Sequence, residues 1–337
     1  ANGDTADLVL GHGMATATVK TASGALTLAP AGNIVASSAV DIQGGYADGG
    51  GAPYDGVVDA AGGGNWTTLQ DGDDALDAAT NTVMLVKAGS YSTLTVSTNN
   101  VKIVCEPGTI VTGAIVLSGD NITLTLGAGC DIQTILTISG DNCSLLCENG
   151  VDLEGISVTG DYANVDGGSW DTISYVASAS AAITVSALAA TVQNITAHTP
   201  TASSWAAISL AGDFHRLLNC KVIYGGEDGI DINAGSTDNV VANCVVLDCD
   251  AIGLMVNAPR NRIIGNYILS AATIGIAVTD AGDNSVVMGN IVQDSGGDPI
   301  DINATGEDCV VTGNRTDGAV DDNSGTSTVT ANEETAF

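Results

Sequence analysis

The chain repeats itself, and a repeat of this length leaves few folds open. Three segments line up from residue 100: Asn100 to Asp120, Asn121 to Asp141 and Asn142 to Asp161, with periods of 21 and 20 residues. Each closes on Gly-Asp, a turn signal. Between the turns lie short alternating runs of Val, Ile, Leu and Thr, which read as strands. The second half keeps a slightly longer step. Asn194, Asn219, Asn243, Asn266, Asn290 and Asn314 are 25, 24, 23, 24 and 24 residues apart. A second phrase moves with them: GIDIN at 229–233, IGLMV at 252–256, IGIAV at 274–278 and PIDIN at 299–303. Every repeat therefore holds at least two strands with turns between them.

A period of 20–25 residues built of short strands excludes most repeat folds. Leucine-rich repeats need Leu at fixed places and helical stretches, and a propeller blade needs about 40 residues. A solenoid of parallel strands remains. Coils stack at about 4.8 Å, so roughly eleven of them make a rod of about 50 Å. The six Asn then form one column. At a tight corner Asn tolerates a left-handed backbone, and its amide can bond the same amide one coil away as a ladder. A structural ladder is preferred over a row of ligand-binding amides, and the sequons at Asn194 and Asn314 are read as coincidental.

Composition supports a packed rod. Of 337 residues 45% are apolar and only 4% aromatic, with 43 Gly. That is enough apolar side chain for a core and argues against disorder. Eight Lys and Arg face 39 Asp and Glu, giving a net charge of −31. Such a chain cannot replace the counterions of a nucleic acid and does not suit an anionic membrane surface. No apolar run is long enough to span a bilayer. The chain opens Ala1-Asn2-Gly3-Asp4 without a basic-plus-apolar leader. That fits assembly inside a cell, as for a virus particle, or a leader already removed. At −31 the fold repels itself in dilute salt. About 1 M salt cuts the Debye length to roughly 3 Å, so the acid-rich composition reads as adaptation to brine, with an ordinary marine or secreted acidic protein as the alternative.

The repeats resemble the right-handed parallel β-helix proteins of the pectin-lyase-like group. The resemblance spans about residues 66–325. Asp71-GDDALDAA reads as a short capping helix over 71–79, and the following phrase carries Lys87-x-Gly89-x-Tyr91 between two strands, as the group's opening does. The resemblance implies an all-β solenoid with exposed ends that need caps. It leaves function open, because the fold hosts lyases, hydrolases, epimerases and viral spikes. Residues 1–43 do not follow the repeat and read as a small attachment segment. Residues 44–65 are a Gly-rich linker, 66–325 the β-helix and 326–337 a polar tail. In viral spikes of this fold the resemblance implies an N-terminal part that anchors to other virion proteins, and side-by-side packing as a homotrimer.

Residues 162–215 break the even period and hold Trp170, Tyr175, Trp205 and Phe214. Trp170, Tyr175 and Trp205 are candidates for glycan binding. The bland alternative is that these rings fill a widened core or a subunit contact. Cys105, Cys130, Cys143, Cys147, Cys220, Cys244, Cys249 and Cys309 contain no Cys-x-x-Cys pair, so a zinc site is not expected. They read as stacked apolar residues with free thiols, although a Cys220–Cys244 disulfide is within coil spacing.

The Tyr224-GGEDGIDIN phrase resembles the acid-bearing strand of polygalacturonase-like hydrolases, which places Glu227 and Asp228 at the paired carboxylates. Two carboxyls across a scissile bond are what glycoside hydrolysis needs. The family's following Gly-His-Gly and Arg-x-Lys are missing here, so a plain turn is the stronger reading. A lyase needs a base, and Arg260 with Arg262 are the best placed. Asp248 and Asp250 are the nearest potential Ca²⁺ ligands, on a surface that would repel polyuronates. No metal or cofactor is expected, beyond cations such as Ca²⁺ that the acidic surface could attract. The three His share no column and form no Ser-His-Asp pattern. The expected protein is a surface spike or decoration rod of a virus of a halophilic or marine microbe, able to bind host-surface glycan. A polysaccharide lyase or hydrolase, extracellular or carried on a virion, is the competing class, and a cell-surface repeat protein a third.

Overall fold

A computed structural model describes residues 54–77, 82–175, 180–199, 204–279, 281–303 and 308–334. The expected attachment segment 1–43 lies outside them. The described residues form a right-handed parallel β-solenoid of about eleven turns with three faces. Face 1 is a 13-stranded parallel sheet running from Gly56–Val58 to Thr328–Thr330. Face 2 runs from Ser90–Tyr91 through Lys221–Tyr224 to Glu333–Glu334. Face 3 runs from Leu94–Val96 through Ile230–Ile232 to Val320–Asp322. The strands Asp131–Ile138 and Asp152–Val158 pass through both of these last faces.

Alternation decides what lies inside. On face 1, Ile103, Leu124, Leu145, Val165, Val192 and Leu217 stand in register on successive coils and are all buried. Each such side chain contributes about 1.5–3 kcal/mol on burial. The phrase that repeats as GIDIN and IGLMV is the face 3 strand, with Ile230 opposite Leu254, then Ile276, then Ile300. The helix is Leu69–Asp74, beginning two residues before the expected start, because Thr68 caps it by accepting the Asp71 N–H at 3.1 Å. Its Leu69 and Gly72 are buried against the first coil. The paired strands also reach further than the expected 66–325. Gly56–Val58 sits in the stretch read as linker, and Thr328–Thr330 with Glu333–Glu334 in the stretch read as tail. Strands of two or three residues are too short to show alternation in the sequence.

The corners carry the special residues. Where face 3 turns into face 1, Asn100, Asn121 and Asn142 have φ of 60°, 56° and 56°, and this left-handed column continues through Tyr162, Ala189, Phe214, Asp238 and Arg260. The six Asn of the second half divide into two columns rather than one. Asn194, Asn219 and Asn243 are left-handed, with φ of 56°, 52° and 56°, at the corner between faces 1 and 2. In the next coils Gly265, Gly289 and Gly313 take that place. Asn266, Asn290 and Asn314 stand one residue further on, level with Cys220 and Cys244, as the pairing of Ala242 with Ile264 requires. They are buried and form a true ladder. The Asn266 N–H donates to Asn290 Oδ1 at 2.8 Å, the Asn290 N–H to Asn314 Oδ1 at 2.9 Å, and the Asn314 N–H to Asn332 Oδ1 at 2.9 Å. The 23-residue step between Asn243 and Asn266 hides a change of column.

All eight cysteines are buried free thiols, including Cys220 and Cys244. Burial raises the thiols of Cys105, Cys130, Cys143, Cys249 and Cys309, and that of Cys147 to about 12, and Cys220 is raised by burial and further by Cys244 beside it. They are inert packing residues. Among the described residues no helix is long and apolar enough to cross a membrane.

Candidate functional site

Face 2 carries a line of polar and aromatic side chains. Asp131 and Asp152 are in register on adjacent coils, over the buried Ile132 and Leu153. Gln133 Nε2 donates to Asp131 Oδ2 at 2.8 Å. These residues, with Glu154 and Tyr175, line an open groove of about 260 Å³. Burial raises the Asp152 carboxyl above the usual range, and the Asp131 charge raises it further. The two carboxyls stand one coil apart, roughly 4.8 Å.

The groove continues along the rod as a run of rings. Tyr175, His198 and Tyr224 occupy one column, with centroids 4.9 and 5.2 Å apart and tilts of 48° and 46°. A register shift after Ala197 puts Tyr224, not Ile223, opposite His198. Both tyrosines stay more than a third exposed. Desolvation lowers His198 below the ordinary histidine range, so it is neutral at pH 7. Stacked, half-exposed rings offer flat apolar area at small conformational cost, which is what sugar faces and other amphipathic ligands use. His198 and Tyr224 were not visible as site residues in the sequence. They lie 23 and 26 residues beyond the preceding ring; regular register sets His198 opposite Tyr175, and the bulge sets Tyr224 opposite His198.

The aromatic residues singled out from sequence do not form one platform. Trp170 sits in the turn between faces 1 and 2, where its indole Nε1 donates to the Asn219 carbonyl at 2.6 Å. Trp205 is exposed in the turn between faces 2 and 3, and Phe214 at the corner of faces 3 and 1. Tyr175 alone of the four belongs to the groove.

The expected catalytic candidates are likewise dispersed. Glu227 is exposed in the turn from face 2 to face 3. Asp228 beside it is buried, and its Oδ1 accepts the Ile252 N–H at 2.9 Å, bracing the next coil. Desolvation raises Asp228 to about 6, with smaller contributions from Asp231 and Glu227. Arg260 lies at the corner of faces 3 and 1, where Nη2 meets Asp238 at 2.6 Å. Arg262 points outward from face 1. The hydrolase candidates Glu227 and Asp228 and the lyase candidates Arg260 and Arg262 thus lie on different parts of the surface, as two separate sets. Among the described residues no cluster of three or more His, Cys, Asp or Glu could hold a metal ion.

Comparison with known proteins follows the geometry. Among solved structures, the chain resembles the Dettilon tailspike protein, with 14% identity and a TM-score of 0.51, over 74% of this chain and 60% of the tailspike. It resembles pectate lyase Pel9A equally, with 12% identity and a TM-score of 0.51, over 80% of this chain and 74% of the lyase. The periplasmic alginate epimerase AlgG follows at 11% identity, 84% of each chain and a TM-score of 0.48. No curated protein matches. Residues 176–333 match the family model described as right handed beta helix region. That match covers just under half of the chain and agrees with the three-faced coil, whose fold is a right-handed parallel β-helix.

Proposed function

We propose that this protein is an adhesive rod at a virion surface, which binds host-surface glycan along face 2 without cleaving it. The observation that carries the reading is the Tyr175–His198–Tyr224 run opening into the Asp131–Asp152 groove. Such a ribbon fits an extended chain of rings laid along the rod axis. The carboxylates at one end disfavour uronate, sulfate and phosphate groups and suit neutral or amino sugars. The tailspike likeness supports the virion placement, and an extracellular rod is the same reading without a particle. On this reading residues 1–43 attach the rod to other virion proteins, copies pack side by side as a homotrimer, and the −31 charge suits a saline host environment.

The test is binding of purified protein to host envelope polysaccharide by calorimetry in about 1 M salt, where surface repulsion is screened. The Tyr175→Ala, Tyr224→Ala double variant should weaken binding at least about tenfold, some 1.4 kcal/mol, with an unchanged melting temperature. Equal binding by the double variant would remove face 2 from the proposal.

Hydrolysis is a second reading, favoured by the in-register Asp131 and Asp152 and the raised Asp152 carboxyl, with the pectate lyase likeness supporting a polysaccharide-processing relative. It requires new reducing ends that appear with the native chain and vanish in Asp152→Asn. An intact polysaccharide leaves the adhesive reading alone.

A further inference from the structure

The chain's acids are unevenly placed. Among the described residues, Asp166 is the only acid within the strands of face 1, in a molecule with 39 acids. That one carboxylate is already satisfied, accepting from Asn194 Nδ2 at 2.9 Å and Gln193 Nε2 at 2.8 Å. Lys102, Arg216 and Arg262 point outward from the same sheet and are exposed. Over its C-terminal half the outer positions turn apolar: Leu218, Val240, Ile264, Val286, Met288 and Val310. Met288 is 40% and Val310 37% exposed. Alternation gives no reason for this, because these are the outward positions of a sheet whose inward positions already fill the core.

Other parts of the surface do the opposite. Asp120, Asp141 and Asp161 stack at the corner of faces 3 and 1, Asp131 and Asp152 on face 2, and Asp301 and Asp321 on face 3, which also carries Asp231. Two copies approaching through those surfaces bring like charges together. Through face 1 they bring together Thr, Val, Ile and Met with three cations and one acid. The sheet is also large enough. Thirteen strands at about 4.8 Å and three residues of about 3.3 Å give a strip of on the order of 600 Å² per copy. Side-chain relief brings this close to the roughly 800 Å² per partner of a stable interface.

We infer that face 1 is the surface through which copies of this chain pack side by side, with the apolar stretch from Leu218 to Val310 at the centre of the contact. This rests on the side-by-side assembly proposed above, and it is independent of glycan binding on face 2. The contact follows the rule that interface cores are depleted of charge relative to the remaining surface.

Sedimentation equilibrium of the full chain in about 1 M NaCl tests it. The native chain should sediment as a dimer or trimer. Val286→Glu with Met288→Glu should weaken association at least about 100-fold, because each charge would be desolvated at the contact. Thr137→Glu with Thr184→Glu, outward on face 3, should associate as the native chain does. Should the glutamates prevent folding, as judged by circular dichroism, Val286→Thr with Met288→Thr should weaken association about tenfold. A native chain that stays monomeric at all concentrations overturns the assembly itself. A native oligomer that the face 1 variants leave intact overturns the choice of face. Neither result bears on the glycan reading, which is measured separately.

Discussion

At the corner of faces 3 and 1 each residue of Gly-Asp-Asn has its own role. A Cβ at Gly140 would overlap the Gly119 carbonyl oxygen of the preceding coil, and one at Gly160 would overlap that of Gly140. The Asp that follows uses its side chain to cap the next coil. Asp120 Oδ1 accepts the Asp141 N–H at 3.0 Å, and Asp141 Oδ1 the Asp161 N–H at 2.9 Å. Asn then takes the left-handed bend at little steric cost. Gly140→Ala should therefore destabilise the protein by about 2 kcal/mol or more through forced separation of two coils, read as a lower urea midpoint. The buried ladder is as exacting. Asn290 donates to the Ile263 carbonyl and to Asn314 Oδ1, both at 3.0 Å, and its own Oδ1 accepts from Asn266. Asn290→Leu keeps the volume and strands those partners, at a cost of about 2–4 kcal/mol. A denaturation midpoint equal to the native chain's would show that the ladder carries no stability. The recurrence of Asn was legible in the sequence. Its division between a bend and a ladder was not, because a 23-residue step looks like ordinary drift until strand register is known.

At the scale of the element, the unit is a coil and not a strand. No three-residue strand is stable alone. Each is held by neighbours above and below, as in any solenoid, where stability is a sum over adjacent repeats. Asn266 and Asn290 are equivalent positions 24 residues apart. Deleting 266–289 should thus seat Asn290 where Asn266 stood and leave a folded, shorter rod. Circular dichroism per residue should be unchanged and the melting temperature modestly lower. Deleting 266–285 instead slips the register by four residues and should abolish cooperative unfolding. Equal behaviour of the two deletions would refute the coil as the unit. The repeat made the faces readable in outline, but the full ring run on face 2 depends on the bulge after Ala197, which leaves no mark in a phrase such as KVIYGG. Ring residues from three coils share a column only because that irregularity moves one of them by a single position.

Over the whole molecule, charge sets the conditions of stability. Asp stacks recur at coil spacing, and the net charge is −31. Raising NaCl from about 0.05 to about 1 M should raise the melting temperature, because the Debye length falls below the spacing of the stacked acids. A melting temperature indifferent to salt would show that the acids are already balanced within the fold. The pH response has a definite sign. Asp228 and Asp73 are raised to about 6, each chiefly by burial. A raised carboxyl contributes stability that is full below its unfolded value near 4 and is lost as pH climbs through 6. Asp166 is lowered by its hydrogen bonds to Asn194, Gly168 and Gln193, and contributes the reverse, lost as pH falls below about 4. Maximum stability should lie between about pH 4 and 6. Asp228→Asn should flatten the fall toward pH 7, which is on the order of 2 kcal/mol for this one group. A melting temperature that climbs steadily from pH 5 to 8 would contradict this. The sequence by itself determined the solenoid, its period, the acid-rich surface and the burial of the cysteines. Those properties come from local alternation, turn residues and composition, which act within one coil. Only the tertiary structure decided which Asn bend and which stack, which rings share a column, where the hydrolase and lyase candidates lie, and that the strands of face 1 are nearly free of acids. Each of these depends on the pairing of one coil with the next, where a shift of a single residue moves a side chain to another column or the opposite side of the sheet.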